Sequence, residues 1–166
     1  MTLNEFERLL LANQYHILSL LDQNNAAHYE KVREALENGY ESYYEDEIFG
    51  WIFDGLSVSE CTLVIDAMDM YSAIQRSYDA LDDKAEIEEG RTKFPGFDGN
   101  HETAYMGYAR FVVEKEGRFR FLKPYKEDFN SHSPMLDRYR RMIDNWKLTS
   151  NRSELTQDEI IAILDS

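Results

Sequence analysis

Apolar residues recur at three- and four-residue spacing through most of this chain, which is the pattern of packed α-helices. The longest such stretch runs from Ser57 to Leu81 and is apolar on nearly every helical face, with a narrow polar stripe. A helix with that pattern is typically buried, so residues 57–81 are predicted to form the central helix. Ser57 and Glu60 have the spacing of a capping box, which predicts where this helix begins.

The same spacing predicts further helices on both sides of the central one. Thr2 with Glu5, and Thr156 with Glu159, also have capping-box spacing, while Gly39 is expected to end the second helix. The predicted helices cover residues 3–22, 26–38, 40–49, 57–81, 82–90, 101–116, 134–148 and the segment from 156 onward.

The first predicted helix carries a strong apolar stripe. Its members are Leu3, Phe6, Leu9, Leu10, Ala12, Ile17, Leu18 and Leu21. The polar pair Asn13 and Gln14, followed by Tyr15, interrupts the stripe in the middle of the helix. Two interpretations of this pair stay open at this point, either a buried hydrogen-bonding group or an exposed position.

The fold class expected from these elements is all-α. Residues 1–166 are predicted to form a single-domain helical bundle wrapped around the central helix, since 166 residues suffice for one sizeable core. The turn-rich segment 94–100 then connects helices within that domain. Charged and aromatic residues alternate after Gly117, which is compatible with a short extended segment near residues 118–123.

Composition restricts the function classes. The net charge is −14, and residues 1–109 hold 7 basic against 22 acidic side chains, so a general polyanion-binding surface is not expected. The single cysteine, Cys61, excludes an intramolecular disulfide and a multi-cysteine zinc site. No signal peptide or membrane-spanning run is recognisable, so a cytoplasmic protein without membrane association, metal or cofactor is expected.

Several separated clusters along the chain carry a family resemblance. They are Arg8-Leu9 with Asn13-Gln14-Tyr15, Ile65-Asp66 with Met68 and Met70-Tyr71, Gly96-Phe97-Asp98, Glu102, Tyr105, Tyr108, Arg110-Phe111, Glu116-Gly117-Arg118, Phe129-Asn130, Pro134-Met135, Tyr139, Arg141-Met142 and Trp146. With these clusters in order, the chain resembles the YfbU family of small bacterial proteins. The resemblance implies a mostly helical cytosolic protein that self-associates, and it implies no activity, because the family has no established biochemical function.

Polar residues at these positions form one candidate ligand site. The set comprises Asp98, Glu102, Arg110, Glu116, Arg118, Asn130, His132 and Arg141. Mixed histidine, arginine and carboxylate groups could perform acid–base chemistry, and the arginines could hold an anion. The alternative is that these side chains form ion pairs that tie loops to helices. No catalytic residue is assigned.

Large aromatic residues in turn-rich regions form a candidate interface, since an isolated chain has little left to cover them. These residues are Trp51, Phe53, Phe119 and Phe121. The leading hypothesis is therefore a homo-oligomeric interaction or regulatory module, a dimer or larger, with an unidentified protein as a further partner. One alternative is RNA, nucleotide or small-anion binding through Arg110–Lys147, which has ten basic against six acidic residues. A second alternative is an enzyme that uses the polar set.

Overall fold

A computed structural model of the protein describes residues 2–50, 52, 55–124, 126 and 128–166. Helices dominate these ranges, which contain no β-strand, so the all-α prediction is confirmed. The α-helices are α1 (Glu5–Leu21), α2 (Ala26–Asn38), α3 (Glu41–Tyr44), α4 (Val58–Ala80), α5 (Glu89–Thr92), α6 (Thr103–Glu114), α7 (Leu136–Leu148) and α8 (Gln157–Leu164), and a π-helical turn covers Glu45–Phe49. None of the described helices is both long and apolar enough to cross a lipid bilayer.

The chain divides into two compact units, Met1–Asp54 and Gly55–Ser166. Each unit has a hydrophobic cluster of its own. The prediction of one domain over residues 1–166, like that of a bundle wrapped around one helix, stays a prediction.

The first unit is an antiparallel pair of helices, α1 and α2, followed by short helical turns. Arg8 near the start of α1 donates to the carbonyl of Leu36 near the end of α2, at 3.1 Å, and Ser19 near the end of α1 reaches Glu30 at 2.7 Å. The buried side chains of this unit are those of Ala12, Val32, Ala35, Leu36 and Tyr44, together with Ser19. Gly39 ends α2 in the left-handed conformation, as predicted.

The second unit is built around α4, which packs against α6, α7 and α8. Ser57 and Glu60 form the predicted capping box, and α4 ends one residue before Leu81, so the central helix is confirmed. Val64, Ala67 and Met68 on α4 have no solvent exposure. This unit therefore has a core large enough to enclose a helix that is apolar on most faces.

Aromatic side chains from the loops close the core over α4. Phe94 stacks on Tyr139 with ring centroids 5.9 Å apart, and Tyr71 meets both rings edge-on. The hydroxyl of Tyr139 donates to the carbonyl of Gly96 at 2.6 Å. Gly96 has φ 85°, and a Cβ there would lie 1.9 Å from the carbonyl oxygen of Phe129, so only glycine permits this approach.

Buried Gln75 ties two loops to α4. Its Nε2 donates to the carbonyls of Thr92 and Lys123, at 3.0 and 2.8 Å, and its Oε1 accepts the N–H of Lys123 at 2.8 Å. The carbonyls of Thr92 and Lys123 and the N–H of Lys123 therefore have hydrogen-bond partners. The described parts of these loops form isolated bridges, such as that between Phe94 and Pro124, and not a sheet.

Four predicted helices differ from the observed ones. The first helix is capped by Asn4 with Glu7, not by Thr2 with Glu5. Residues 82–88 are not helical, because the buried Ile87 is their one large apolar side chain and a helix there would lack an apolar face to pack. Helix α6 is shorter than 101–116, since residues 100–102 form a turn that Glu102 and Asp98 hold. Helix α7 begins two residues after Pro134.

Residues 118–123 form a turn and not an extended segment. Phe119 has φ 54°, and the N–H of Leu122 donates to the carbonyl of Phe119 at 2.9 Å. The turn places Leu122 in the core and leaves Phe121 outside. Alternating residues indicate a strand only when a neighbouring strand pairs with them, and the described residues provide a single bridge nearby.

Candidate functional site

Glu102 lies at the centre of the predicted polar cluster and is almost completely buried. One carboxylate oxygen accepts the N–H groups of Met135 and Leu136 at 2.8 and 2.9 Å, and the other accepts the N–H of Asp98 at 3.0 Å. Charge-assisted hydrogen bonds of this kind are stronger than neutral ones. Glu102 therefore fixes the turn before α6 to the start of α7.

Asp98 is the second buried carboxylate of the cluster. It accepts the backbone N–H of Asn100 at 3.0 Å and contacts the Nδ1 atom of His101 at 2.6 Å. These two contacts hold the pKa of Asp98 below its ordinary value, so the group is a carboxylate at neutral pH. Like Glu102, Asp98 has its charge satisfied within the loop.

Asn130 also contacts the loop that contains Asp98. Its Oδ1 accepts the N–H of Gly99 at 3.1 Å and the N–H of His132 at 3.0 Å. Arg110 reaches the same loop and donates twice to the carbonyl of Asp128. The structure thus brings Asp98, Glu102 and Asn130 together, with His132 exposed beside them and Arg110 at the border.

The other three residues of the predicted set do not join this group. Arg118 and Glu116 pair with each other at 3.6 Å beyond the end of α6, and both are exposed. Arg141 lies exposed on α7 and contacts none of the described carboxylates. The eight residues therefore do not form one cleft, and a ligand or acid–base role for the cluster stays a hypothesis. Across the described ranges, no group of three or more His, Cys, Asp and Glu side chains is arranged for a metal ion.

The candidate interface residues occupy different surroundings. Trp51 and Phe53 lie outside the described residues. Phe119 packs against the core of the second unit, and the guanidinium of Arg118 lies 5.2 Å from its ring centroid. Phe121 is 97% exposed at the tip of the 118–123 turn, so it is available for a partner.

A larger apolar surface, which sequence reasoning did not single out as an interface, covers one face of α1. We call it the α1 face, and it consists of Phe6, Leu9, Leu10, Ile17, Leu20 and Leu21, with Asn13 at its centre. Their exposed fractions range from 48% for Ile17 to 77% for Leu21. The opposite side of the helix, with Leu11, Ala12 and Tyr15, packs into the core of the first unit. The signal was present in the sequence, because α1 carries more apolar residues than one packing face requires.

Comparison with known proteins places the chain in a family. A family model described as the YfbU domain matches residues 1–166. A UPF0304 protein from the archaeon Methanocaldococcus jannaschii is 41% identical over 170 residues, which cover 99% of both chains. A UPF0304 protein from the bacterium Actinobacillus succinogenes is 36% identical over 166 residues and covers 100% of both chains. A match over the whole length, at these identities, means that the chain belongs to the YfbU family.

Proposed function

We propose that this protein is a homo-oligomeric interaction module of the cytoplasm, without catalysis, and that two copies associate through the α1 face. The observation that carries the proposal is the exposure of six large apolar side chains on one side of a single helix. Contiguous apolar surfaces of this kind are uncommon on monomeric proteins and mark sites of association.

The spacing within the α1 face favours a helix as the partner. Five residues, which are Phe6, Leu10, Asn13, Ile17 and Leu20, follow one another at steps of four, three, four and three. This is the heptad spacing with which two helices interlock their side chains. From Phe6 to Leu20 the helix rises about 21 Å, at 1.5 Å per residue, which is enough for several interlocking layers.

The order of the residues favours a second copy of the same chain. Two pairs of apolar residues are placed symmetrically about Asn13, Phe6 with Leu20 at seven residues and Leu9 with Ile17 at four. In an antiparallel pair with a two-fold axis at Asn13, Phe6 of each copy lies opposite Leu20 of the other. Such a two-fold contact uses the same surface on both subunits.

Asn13 fits the centre of this contact. A carboxamide both donates and accepts, so the Asn13 side chains of two copies can pair with each other across the axis. A single asparagine in an apolar helical interface fixes register and orientation at a cost in stability. The polar interruption of α1 is then part of the interface.

Four of the ten basic residues of the Arg110–Lys147 region pair with carboxylates of the chain, which makes nucleic-acid binding the weaker hypothesis. The pairs are Lys123 with Asp79 at 2.8 Å, Lys147 with Asp66 at 2.6 Å, Arg140 with Asp137 at 2.7 Å and Arg118 with Glu116 at 3.6 Å. A phosphate backbone would have to compete with these carboxylates for the same cations.

Sedimentation or light scattering at micromolar concentration tests the proposal. The chain weighs 19.6 kDa, and the expected result is a mass of about twice that value or more. Ile17→Glu and Leu10→Glu place charges in the α1 face and should convert the protein to a monomer with unchanged helical content. Val58→Glu replaces an apolar residue on α4 that is 85% exposed, more than Leu10 or Ile17, and should leave the mass unchanged.

Two further measurements distinguish the α1 face from other surfaces as the site of association. Phe121→Glu tests the turn at 118–123, and loss of association there, with the α1 variants still associated, would move the interface to that turn. Because each copy carries a net charge of −14, added salt should strengthen the proposed contact by screening repulsion. A wild-type protein that stays monomeric at micromolar concentration in both low and high salt contradicts the proposal.

A further inference from the structure

A small cavity in the second unit has a strongly basic lining. Its volume is about 300 Å³, and it lies where the loop after α5 meets the start of α7. Arg91, Lys93 and Arg138 line it, and its described lining contains no carboxylate. A basic cavity is unexpected in a chain that carries 32 acidic and 18 basic residues.

The two guanidinium groups are held side by side. Arg91 and Arg138 each donate through Nη2 to the carbonyl oxygen of Leu164, both at 3.0 Å. Two like charges that share one neutral acceptor repel each other unless an anion lies nearby. Arg91 is also paired with Asp165 at 2.6 Å, whereas Arg138 forms no ion pair with any carboxylate of the described ranges.

The charge of Lys93, like that of Arg91, is partly offset by a carboxylate. Its Nζ atom lies 3.5 Å from Glu89, one helical turn earlier, and both side chains are partly exposed. Surface pairs of this kind are weak, so Lys93 keeps most of its attraction for an anion in the cavity. Arg138 is the cation that most lacks a partner.

The hydroxyl of Tyr71, on an otherwise buried side chain, points to a ligand independently. Tyr71 is 1% exposed and lines the cavity, yet its hydroxyl has no hydrogen-bond partner in the described part of the chain. Every fully enclosed side-chain nitrogen or oxygen there does have a partner. The Tyr71 hydroxyl must therefore be the atom through which this side chain reaches the cavity.

The neighbouring Tyr139 shows what a satisfied hydroxyl looks like in the same core. Its ring is equally buried and lies 6.0 Å from that of Tyr71, but its hydroxyl donates to the carbonyl of Gly96. Burial raises the pKa of Tyr71 to about 12, so its hydroxyl keeps its proton and can donate at neutral pH. Buried tyrosines usually find such an acceptor, and for Tyr71 the cavity is where one would be.

We propose that this cavity binds the phosphate group of a small phosphate monoester, with Tyr71 and Arg138 as donors and with Arg91 and Lys93 as supporting positive charge. Arginine matches the geometry of phosphate oxygens, and Arg138 keeps its full charge while Asp165 and Glu89 partly offset those of Arg91 and Lys93. The cavity is at the small end of ligand pockets and leaves room for a compact organic group beyond the phosphate. Ser131 and Ser133 also line the cavity; the Ser133 hydroxyl can contact that group, while the Ser131 hydroxyl donates to the carbonyl of Ser133.

Titration of the 166-residue chain with inorganic phosphate and with glycerol 3-phosphate, followed by calorimetry or by amide NMR shifts, tests the proposal. The wild type should bind glycerol 3-phosphate with a Kd of about 1 mM or tighter. Arg138→Gln should weaken binding at least about tenfold, and Tyr71→Phe about fivefold. Arg141→Gln removes a similar charge three residues along the same helix, outside the cavity, and should leave binding unchanged.

Stability measurements separate a ligand site from a structural cluster. Tyr71→Phe removes an unpaired hydroxyl and should leave the melting temperature unchanged or slightly raised. If Arg138→Gln does not fold, Tyr71→Phe still decides the question. Equal binding by wild type and Tyr71→Phe, or no saturable binding of either phosphate probe, overturns the proposal. Saturable binding of acetate or citrate without phosphate overturns the assignment to phosphate.

Discussion

The helices α4 and α1 contain similar proportions of apolar residues but lie in different surroundings. Both begin with a capping box and carry apolar residues on more than one face. Around α4, the helices α6, α7 and α8 and the aromatic loops cover those faces, and Met68 and Ile74 have no exposure. On α1, the α2 side is covered while the α1 face is open.

The difference shows what apolar spacing can and cannot specify. Apolar spacing indicates that a helical face will be buried, but it does not indicate whether the same chain or a second molecule buries it. In the second unit, helices and loops of the same unit bury the apolar faces of α4. In the first unit the α1 face stays exposed, and this exposure is the physical basis for proposing a second copy as the partner. The comparison predicts that substitutions in α4 change folding, while those in the α1 face change association.

The largest expected effect is that of Met68→Asp in α4. Met68 is fully buried, so the substitution places an unpaired carboxylate in the core of the second unit. We expect a loss of about 5 kcal/mol in the free energy of unfolding, comparable with the whole stability of a small domain. Urea denaturation followed by circular dichroism measures it.

The matched control is Val58→Asp, at the exposed first position of the same helix. An acidic residue in the first turn is favourable for the helix dipole, so the change should stay within about 0.5 kcal/mol. A Met68→Asp protein that unfolds at the wild-type urea concentration would show that α4 is not enclosed as described.

Gly96→Ala should remove part of the cover over α4. The new Cβ would meet the backbone of Phe129, and φ 85° is unfavourable for alanine, so the loop must shift. We expect a loss of about 4 kcal/mol. Gly107→Ala is the control, since it lies in α6 with open space around it and should stabilise the protein by about 1 kcal/mol. Thermal melting of both variants gives the contrast directly.

An isoleucine pair sharpens the comparison further. Ile74→Ala in α4 creates a cavity in a core that has no exposure and should cost about 3 kcal/mol. Ile17→Ala in the α1 face, measured at concentrations where the protein is monomeric, should cost less than about 1 kcal/mol. At concentrations that favour the oligomer, Ile17→Ala should weaken association instead. Equal losses of stability in the two monomeric variants would mean that α1 is covered as completely as α4.

The sequence predicts the local elements well because their signals lie within a few residues of each other. The boundaries of α2 and α4 follow from Gly39, Ser57 and Glu60. The predicted start of α1 is wrong by two residues because Thr2 and Asn4 are both favourable cap residues, each with a glutamate three residues later. Neighbouring sequence alone does not separate two such candidates.

The candidate sites are less predictable because they depend on contacts between distant segments. Asp98, Glu102 and Asn130 were named from the sequence, but the partners of their oxygens depend on how the loops meet. The cavity at Tyr71 joins Arg91 to Arg138, which no spacing rule connects. In the sequence, Tyr71 cannot be distinguished from an ordinary core tyrosine. Only the structure shows that its hydroxyl has no acceptor among the described residues.

The smallest predicted effect concerns the caps of the two helices and depends on pH. In α4, Glu60 accepts from the Ser57 hydroxyl at 2.6 Å, the Tyr105 hydroxyl at 2.7 Å and the Ser57 N–H at 2.7 Å. These donors, led by the hydroxyl of Ser57, lower the pKa of Glu60 from 4.5 to about 2. In α1, the corresponding Glu7 accepts the N–H of Asn4 and has no donor from another helix in the described residues.

A carboxyl whose pKa is lower in the folded state contributes stability above its unfolded pKa and loses it as the pH falls through its folded pKa. The contribution of Glu60 should therefore be complete above pH 4.5 and disappear as the pH falls towards about 2. Glu60→Gln should flatten the decline in stability across this window, and Tyr105→Phe, which removes one donor, should flatten it less. Glu7→Gln is the comparison variant in α1, where the carboxylate accepts from Asn4 and from no second helix among the described residues. Melting temperatures measured from pH 2 to pH 5 would show this order, and an unchanged slope in Glu60→Gln would mean that α4 is not held by its cap in the way the contacts indicate.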